Sequence, residues 1–228
     1  MPIKHNEAPP TRVKHSVNLG DLIACMGPIK RYWEVTKRKV ILSQQLSMPA
    51  AYYPGATHPT KSEDGTMVTM NDFTFDMVKP LIESQPYIHS FERYEGQKVD
   101  LDFNVIRGKT FVNLPHGAIQ NWIPFAFPDL AFDLSKPWIE IDGKCPAHIK
   151  KQVSGKVILN FTERYRNSII DYFFLREYAP NLIFAGTERE YFLFCNQWQL
   201  TIPRLEVKSF LESAYALREC RFLLANQS

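Results

Sequence analysis

The sequence lacks several features that would assign its 228 residues to a common class. No apolar run approaches the roughly 20 residues needed to cross a bilayer, and the first residues lack the apolar core of a secretory signal. The formal net charge is only +3, with no block of lysines or arginines, so nucleic acid is not an expected partner. These absences favour a cytoplasmic protein without a transmembrane segment.

Cysteine is scarce, and the spacings typical of metal sites are missing. Cys25, Cys145, Cys195 and Cys220 form no CxxC pair, and all but Cys145 lie in apolar helical patterns, which predicts buried thiols in a reducing compartment. The histidines show no HxxxH or HExxH spacing, and no Walker or Rossmann glycine-rich loop occurs. The DxD spacing in residues 100–102 lies within strand alternation. We therefore predict no metal site and no bound cofactor.

The strongest positive pattern is a strand, a tight turn and a helix near the start of the chain. Residues 13–17 form an apolar run, and the polar or small residues Asn18, Gly20 and Asp21 follow it. An amphipathic pattern comes next, because Leu22, Met26, Ile29 and Trp33 fall on one helical face. Ligands of open α/β sheets bind at the carboxyl ends of strands, which makes this turn the best candidate for chemistry.

The rest of the first half continues the alternation less regularly. A second strand at residues 39–43 has the spacing of a parallel βαβ crossover. A long irregular segment, residues 44–69, is either a surface insertion or an acceptor-binding loop. The remaining predictions are a helix at 71–84, strands at 89–94 and 99–106, a partly helical stretch at 114–127, and a strand or extended crossover at 133–141.

The second half alternates more clearly after a polar segment at residues 142–154. We predict an amino-terminal domain of residues 1–150 and a carboxyl-terminal domain of residues 151–228. The latter has predicted strands at 156–161, 182–185, 200–202 and 221–225, with helices at 167–178, 188–198 and 210–220. In the first of these helices, Ile169, Ile170, Phe173 and Phe174 are predicted to face inward.

This order predicts an α/β fold with two Rossmann-like, doubly wound domains in tandem. The last strand has no helix after it to cover its face. We therefore expect the second domain to be incomplete and the chain to be truncated at its carboxyl end.

Several segments resemble one enzyme family. Residues 16–22, Ser-Val-Asn-Leu-Gly-Asp-Leu, with Pro28 seven positions after Asp21, resemble the amino-terminal signature of the ADP-heptose:lipopolysaccharide heptosyltransferases of glycosyltransferase family 9. Residues 158–166, 184–188 and 222–228 are similar to strand ends of that family, although Asn226 stands where the family has an acidic residue. The resemblance implies a GT-B arrangement of two α/β domains.

On the acceptor side, the resemblance implies that Asp21 is the general base of a metal-independent, inverting transfer. A carboxylate suits this role where its surroundings raise its pKa towards neutrality. Residues of the same turn also allow a structural interpretation, because Asn18 and Asp21 have capping-box spacing and Gly20 permits a tight turn. His116 is a candidate for the acceptor cleft or an ordinary loop histidine.

On the donor side, the resemblance points to residues at three strand ends. Arg166, with Arg164, would hold the phosphates of a nucleotide diphosphate, and Glu188 would bind the ribose. Local alternatives remain, namely a solvated loop for the arginines, a turn bond for Thr162, and a capping box of Thr187 with Glu190 beside Glu188. The full set of donor-side candidates is Thr162, Arg164, Arg166, Glu188, Asn226 and Ser228.

The resulting hypothesis is a glycosyltransferase that moves a sugar from a nucleotide-diphosphate sugar to a saccharide or glycolipid-type acceptor. The nucleotide sugar is a co-substrate, and peripheral contact with a membrane is compatible with such an acceptor. The alternative is a non-catalytic carbohydrate- or protein-binding remnant on the same scaffold. The replacement at Asn226 and the unfinished final sheet favour the alternative.

Overall fold

The computed structural model describes residues 8–50, 60–107, 119–162, 167 and 169–226. These residues form two compact units, and the chain passes from one to the other between Ile141 and Asp142. We call them the N-terminal unit and the C-terminal unit. Each contains one parallel sheet with helices, so the predicted α/β class is confirmed. The GT-B arrangement and the roles given to the two halves stay predictions.

The N-terminal unit has a four-stranded parallel sheet in the order β3-β2-β1-β4. The strand, turn and helix predicted at the start of the chain are present, and β1 and β2 pair in parallel across the helix as the βαβ pattern requires. The strands are β1 (Thr11–His15), β2 (Val40–Gln44), β3 (Ile88–Arg93) and β4 (Leu101–Asp102), and the α-helices are α1 (Leu19–Thr36), α2 (Asp72–Glu83) and α3 (Trp122–Ala126).

The two faces of this sheet differ in chemistry. On one face, the Thr11 hydroxyl lies 2.7 Å from the Tyr32 hydroxyl of α1, and Phe91 stacks on Phe75 of α2 at 4.5 Å. Strand alternation places Arg12 and Ser43 on the opposite face, where the Arg12 guanidinium donates to the Ser43 hydroxyl. Both long helices therefore pack on the apolar face.

The C-terminal unit has a three-stranded parallel sheet in the order β6-β5-β7. Apolar clusters cover both of its faces. Leu159 and Phe161 pack with Phe194 on one face, and Ile158 and Ile183 pack on the other. The strands are β5 (Val157–Asn160), β6 (Leu182–Phe184) and β7 (Phe222–Ala225), and the α-helices are α4 (Ala147–Val153), α5 (Glu188–Trp198) and α6 (Phe210–Glu219).

Two helices of the C-terminal unit begin as their sequences predict. Thr187 and Glu190 form both hydrogen bonds of a capping box at α5. At α6 the Ser209 hydroxyl accepts from the Glu212 amide, but the Glu212 carboxylate accepts from the Lys208 amide at 2.6 Å. The cap predicted at Ser209 is therefore present in its first half, and the reciprocal contact goes to the preceding residue.

One predicted strand of the N-terminal unit is wrong in its length, and the segment predicted as a strand or an extended crossover is not a strand. The strand at 99–106 shortens to Leu101–Asp102 and gives way to a 3₁₀-helix, Phe103–Arg107, because the Asp102 carboxylate accepts from the Asn104 amide and turns the chain. Residues 133–141, all described, form no strand. They are fixed instead by side chains, with the Gln85 side chain accepting from the Glu140 amide and donating to its carbonyl.

Four predictions in the C-terminal unit also need correction. A 3₁₀-helix, Phe173–Asn181, replaces the helix at 167–178, since the Asp171 carboxylate accepts from the Phe173 amide. Ile169 is 90% exposed rather than inward, and Ile170, Phe173 and Phe174 are also exposed. The weak strand at 200–202 is absent from this described segment, where Leu200 and Ile202 are buried in the core without ladder pairing. Helix α4 lies inside the segment predicted as an irregular boundary.

Candidate functional site

The turn after β1 is fixed by side chains from neighbouring segments. Helix α1 begins where the Leu22 amide donates to the Asn18 carbonyl at 2.9 Å. The Ser16 hydroxyl donates to the Asn104 side-chain oxygen at 2.6 Å, and the Thr69 hydroxyl donates to the Ser16 carbonyl at 3.0 Å. This turn therefore has a defined position, and it presents Asp21 in the first turn of α1.

The same turn lies at a topological switch point of the sheet. The chain order runs from β1 through β2 to β3 on one side, and β4 pairs on the other side of β1. In open α/β sheets, ligands bind in the crevice outside the carboxyl ends of the strands at such a point. The bond between Ser16, after β1, and Asn104, after β4, spans the point.

A buried polar pair at the strand ends fixes the chain that leads into the turn. His15 and Gln44 end β1 and β2, and both are fully buried or nearly so. The Gln44 amide nitrogen donates to the carbonyls of Val17 and Gln45, which directs its oxygen at His15 Nδ1, 2.7 Å away. The ring therefore carries its proton on Nδ1 and donates it to Gln44.

Asp21 is half-buried, on the side of α1 that carries Cys25 one turn later. Burial raises the pKa of the Cys25 thiol, and the nearby Asp21 carboxylate raises it further. Asn18 is the N-cap residue by position, but its side chain makes no capping hydrogen bond. The capping-box interpretation of Asn18 and Asp21 is therefore wrong, and Asp21 has no role as its reciprocal acceptor.

Gly20 has a different role from the one its sequence context indicated. It is the second residue of α1, has no positive φ, and is exposed, so the turn does not require a glycine there. A Cβ atom built on it would meet no atom within 4 Å. Gly20 instead leaves open space at the amino end of the helix, beside Asp21.

The C-terminal unit has its own switch point, and two predicted residues meet there. The strand order β6-β5-β7 places β6 and β7 on opposite sides of β5. The Thr162 amide donates to the Asn226 side-chain oxygen at 2.9 Å, and the Asn226 side-chain nitrogen donates to the Thr162 carbonyl at 3.1 Å. This pair joins the ends of β5 and β7, and both polar atoms of the Asn226 side chain are used in contacts with the backbone of Thr162.

Glu188 lies beyond the end of β6, the remaining strand of that sheet. It is the first residue of α5 and is exposed. Gly186 precedes it, and a Cβ atom there would lie 2.7 Å from the Phe184 ring. The Asn160 side chain donates to the Ala185 carbonyl at 2.7 Å and so ties the ends of β5 and β6 together. Thr162, Glu188 and Asn226 therefore follow three adjacent strands at one edge of the sheet.

Other candidates cannot be placed, and some site residues were not predicted. Arg164, Arg166, His116 and Ser228 lie outside the described residues. Reasoning from sequence missed His15, Gln44 and Asn104, whose only signal was a polar residue at or just beyond a strand end. Within the described ranges, no three His, Cys, Asp or Glu side chains are grouped to hold a metal ion. The helices among those ranges are all too short or too polar to cross a membrane.

Comparisons with known proteins give one relevant likeness, and it is structural. The chain resembles the crystal structure of the glycosyl transferase family 9 from Veillonella parvula DSM 2008, with a TM-score of 0.56 and 9% sequence identity. The similarity covers 95% of this chain and 75% of that one. No family model matches the sequence, and no curated protein matches it. At this identity the likeness concerns the fold, which is a Rossmann-like α/β fold of the kind found in that glycosyltransferase.

Proposed function

We propose that the protein is a glycosyltransferase that moves a sugar from a nucleotide-diphosphate sugar to a saccharide or glycolipid-type acceptor. The observation that carries the proposal is the position of Asp21, in the first turn of the helix after β1 and beside the β1/β4 switch point. The structural likeness to a family 9 glycosyl transfer enzyme agrees with it. Gly20, which leaves open space next to this carboxylate, would let an acceptor approach closely.

Asp21 is the proposed general base of an inverting transfer. Its carboxylate takes the proton of the acceptor hydroxyl, whose oxygen forms a bond to the anomeric carbon. The bond from that carbon to the diphosphate oxygen breaks, and the nucleotide diphosphate leaves with the electron pair. The contacts of Ser16 with Asn104 and Thr69 hold the turn during this step, which keeps the base positioned without reorganisation.

The donor is proposed to bind at the carboxyl edge of the C-terminal sheet. Glu188, exposed at the start of α5, is suited to the ribose hydroxyls, and the hydroxyl of Thr162 to a phosphate. Arg164 and Arg166 would neutralise the diphosphate of the leaving group, since guanidinium groups make bidentate contacts with phosphate oxygens. Such neutralisation needs no metal, and Ser228 would add a hydroxyl contact.

The proposal also covers the domain arrangement, the elements that complete the donor side, and the location of the protein. We take the two units as the halves of a GT-B enzyme of heptosyltransferase type. Further strand and helix elements beside β7 would complete the donor side, because Phe222 and Leu223 of that strand are 53% and 46% exposed. A cytoplasmic location agrees with four cysteines that are all free thiols.

The test uses the full chain and measures binding and transfer separately. Calorimetric titration with ADP, GDP, UDP and CDP should give saturable binding for at least one of them. Release of that diphosphate from its sugar conjugates, in the presence of saccharide acceptors, reports transfer. Asp21→Asn should reduce transfer about 10²–10⁴-fold and leave nucleotide affinity within about twofold, whereas Glu63→Gln, an exposed carboxylate of the same unit, should change neither. A folded chain that binds none of the diphosphates refutes the proposal.

One observation favours a second candidate, a non-catalytic carbohydrate- or protein-binding remnant. The Asn226 side chain, at the place where the resembling family has an acidic residue, is used to hold Thr162. In that case the contacts between Asn226 and Thr162 occupy the switch point of the C-terminal sheet, and no donor binds there. Saccharide binding without any diphosphate binding, in the same titrations, would support this candidate.

A further inference from the structure

A cavity of about 490 Å³ lies in the N-terminal unit, between α1 and residues 131–138. Its volume is within the range of small-molecule sites. The residues that matter for its chemistry are Gly27, Lys30, Arg31, Glu34, Phe132 and Trp138. Gly27 and Glu34 come six and thirteen residues after Asp21, so they lie about 9 and 20 Å farther along the helix axis. The cavity is therefore separate from the candidate site at the start of α1.

Two aromatic rings form a rigid wall of this cavity. Phe132 lies directly on the backbone of Gly27, where a Cβ atom would come within 2.3 Å of the ring. Trp138 meets Phe132 edge to face, with ring centroids 5.5 Å apart and an interplanar angle of 79°. Edge-to-face contact is a favoured geometry for aromatic pairs. One glycine of α1 thus permits an aromatic surface that any larger residue would displace.

Hydrogen bonds hold the segment behind this wall. The Trp138 indole donates to the Ile23 carbonyl of α1 at 3.0 Å. The Tyr87 hydroxyl donates to the Trp138 carbonyl. Lys30 donates to the Pro137 carbonyl at 3.0 Å and to the Glu140 carboxylate at 2.6 Å. The wall is therefore formed before any ligand arrives, which lowers the entropy lost on binding.

Charged side chains of both signs line the rim, and their contacts are loose. Arg31 and Glu34 are 3.9 Å apart, and Lys136 and Asp133 are 3.6 Å apart. Hydrogen bonds from Ser135 lower the pKa of Asp133, with Lys136 contributing less, so the carboxylate is charged at neutral pH. Each cation has a carboxylate beside it, so the rim does not select for a net charge. It offers donors and acceptors side by side.

We propose that this cavity is a second saccharide-binding site, in which a neutral sugar lies against Phe132 and Trp138 and its hydroxyls bridge the Arg31–Glu34 and Lys136–Asp133 pairs. A sugar hydroxyl both donates and accepts, so adjacent hydroxyls match neighbouring cationic and anionic groups. The C–H face of a pyranose is apolar and flat enough to cover an aromatic ring. Inorganic phosphate and nucleotides fit less well, because carboxylates adjoin the rim cations and repel an anion.

The test is a titration of the full chain with four saccharides: methyl β-D-glucoside, methyl α-D-mannoside, lactose and chitobiose. Saturation-transfer NMR and tryptophan fluorescence detect the binding. At least one of them should bind. Arg31→Ala and Glu34→Gln should each weaken that binding at least fivefold, and Phe132→Leu at least tenfold. Lys98→Ala, an exposed cation of the same unit outside the cavity, should leave the affinity unchanged.

The two rim residues keep the test decisive if Phe132→Leu does not fold, because their side chains are each 44% exposed and their loss should not affect folding. Binding of no saccharide, binding unaffected by the Arg31 and Glu34 variants, or stronger binding of phosphate or AMP at this cavity would each overturn the proposal. The site does not depend on Asp21 or on a nucleotide donor. If no saccharide binds at this cavity, the proposed transferase activity is unaffected. If no transferase activity is found, the proposed saccharide site is unaffected.

Discussion

The sheets of the two units differ in what lies on their faces. In the C-terminal unit, Leu159 and Ile158 point to opposite sides and each belongs to an apolar cluster of its own. In the N-terminal unit, the face opposite α1 and α2 carries an ion pair, Arg12 with Glu92 at 2.7 Å. The two side chains are partly exposed, at 21% and 38%, and such pairs contribute little to stability. We therefore expect apolar burial to stabilise the C-terminal sheet from two sides and the N-terminal sheet mainly from one.

The outer strands differ as well. The Phe91 amide of β3 donates to the Glu83 carboxylate at 3.0 Å, and Lys79 donates to the Phe91 carbonyl at 2.6 Å. Residues 203–205 cover β6 in a similar way, through the Phe184 amide and carbonyl. Strand β7 instead presents Leu223 with almost half of its surface exposed. Unprotected apolar edges attract other chains, so β7 is the edge at which the C-terminal unit is open to association.

The largest expected effect tests the two cores against each other. Phe161 contacts two rings, Phe194 at 4.5 Å and Tyr172 at 4.7 Å, whereas Phe91 stacks on Phe75 alone within the described residues. Phe161→Ala should lower the free energy of unfolding by about 4–5 kcal/mol, and Phe91→Ala by about 3 kcal/mol. Urea unfolding, with hydrogen exchange to read each unit, gives both values.

The control for that measurement is Phe192→Ala. Phe192 lies on α5 of the same unit but is 61% exposed, so its loss should change stability by less than about 0.5 kcal/mol. A larger loss for Phe91→Ala than for Phe161→Ala would contradict the view that the C-terminal core is the more strongly packed of the two.

The second prediction concerns two glycines of the same helix in the N-terminal unit. Gly27→Ala should destabilise this unit by about 1–3 kcal/mol, because the new methyl group would lie 2.3 Å from the Phe132 ring. Gly20→Ala places its methyl group in open space and should stabilise α1 by up to about 1 kcal/mol. Thermal unfolding of the two variants checks the opposite signs. Equal effects would mean that Phe132 moves aside without cost.

Much of the fold could be predicted because local signals agree with the tertiary structure. The capping box of Thr187 and Glu190 marks the start of α5, and the short apolar runs of β2 and β5, bounded by polar residues, favour strands. Two of the wrong predictions fall where a short polar side chain redirects the backbone. Asp102 ends β4 by accepting from the Asn104 amide, and Asp171 does the same before Phe173; neither bond has a periodic signature.

The candidate site was predictable only in part, for a similar reason. Asp21 follows directly from the strand-turn-helix pattern. The partners of its turn do not, because Asn104 reaches Ser16 across 88 positions of sequence and Gln44 reaches His15 across 29. Those contacts depend on the register and order of the strands. The sequence of one βα unit contains no information on which later strand will lie beside it.

A smaller effect is expected from the polar face of the N-terminal sheet. Hydrogen bonds from Ser90, and then Arg12, lower the pKa of Glu92. A carboxyl group whose folded pKa is lowered stabilises the fold above its unfolded pKa of about 4.3, and loses that contribution as the pH falls through the folded value. Stability should thus decline below about pH 5 by less than roughly 1 kcal/mol from this group, which is 38% exposed.

Glu92→Gln isolates that contribution. The variant keeps the shape of the side chain and removes the titrating group, so its urea midpoint should vary less between pH 5 and pH 3 than that of the unmodified chain. Glu95→Gln, which changes an exposed carboxylate of the same unit, should retain the original pH profile. Identical profiles for the Glu92 variant and the unmodified chain would mean that this pair does not couple to folding.

The smallest effect on stability, and the clearest on association, is expected at the open edge of the C-terminal unit. Leu223→Lys adds a charge to β7 where the side chain is 46% exposed, so the free energy of unfolding should change by less than about 0.5 kcal/mol. Light scattering at high protein concentration should fall. Val35→Lys makes the same change on α1, at a residue 58% exposed, and tests whether any added charge suffices. If both variants reduce scattering equally, net charge is responsible. If only Leu223→Lys does so, association occurs at β7, whose side chains are exposed, whereas residues 203–205 cover β6 and the side chains of Lys79 and Glu83 cover β3 of the N-terminal unit.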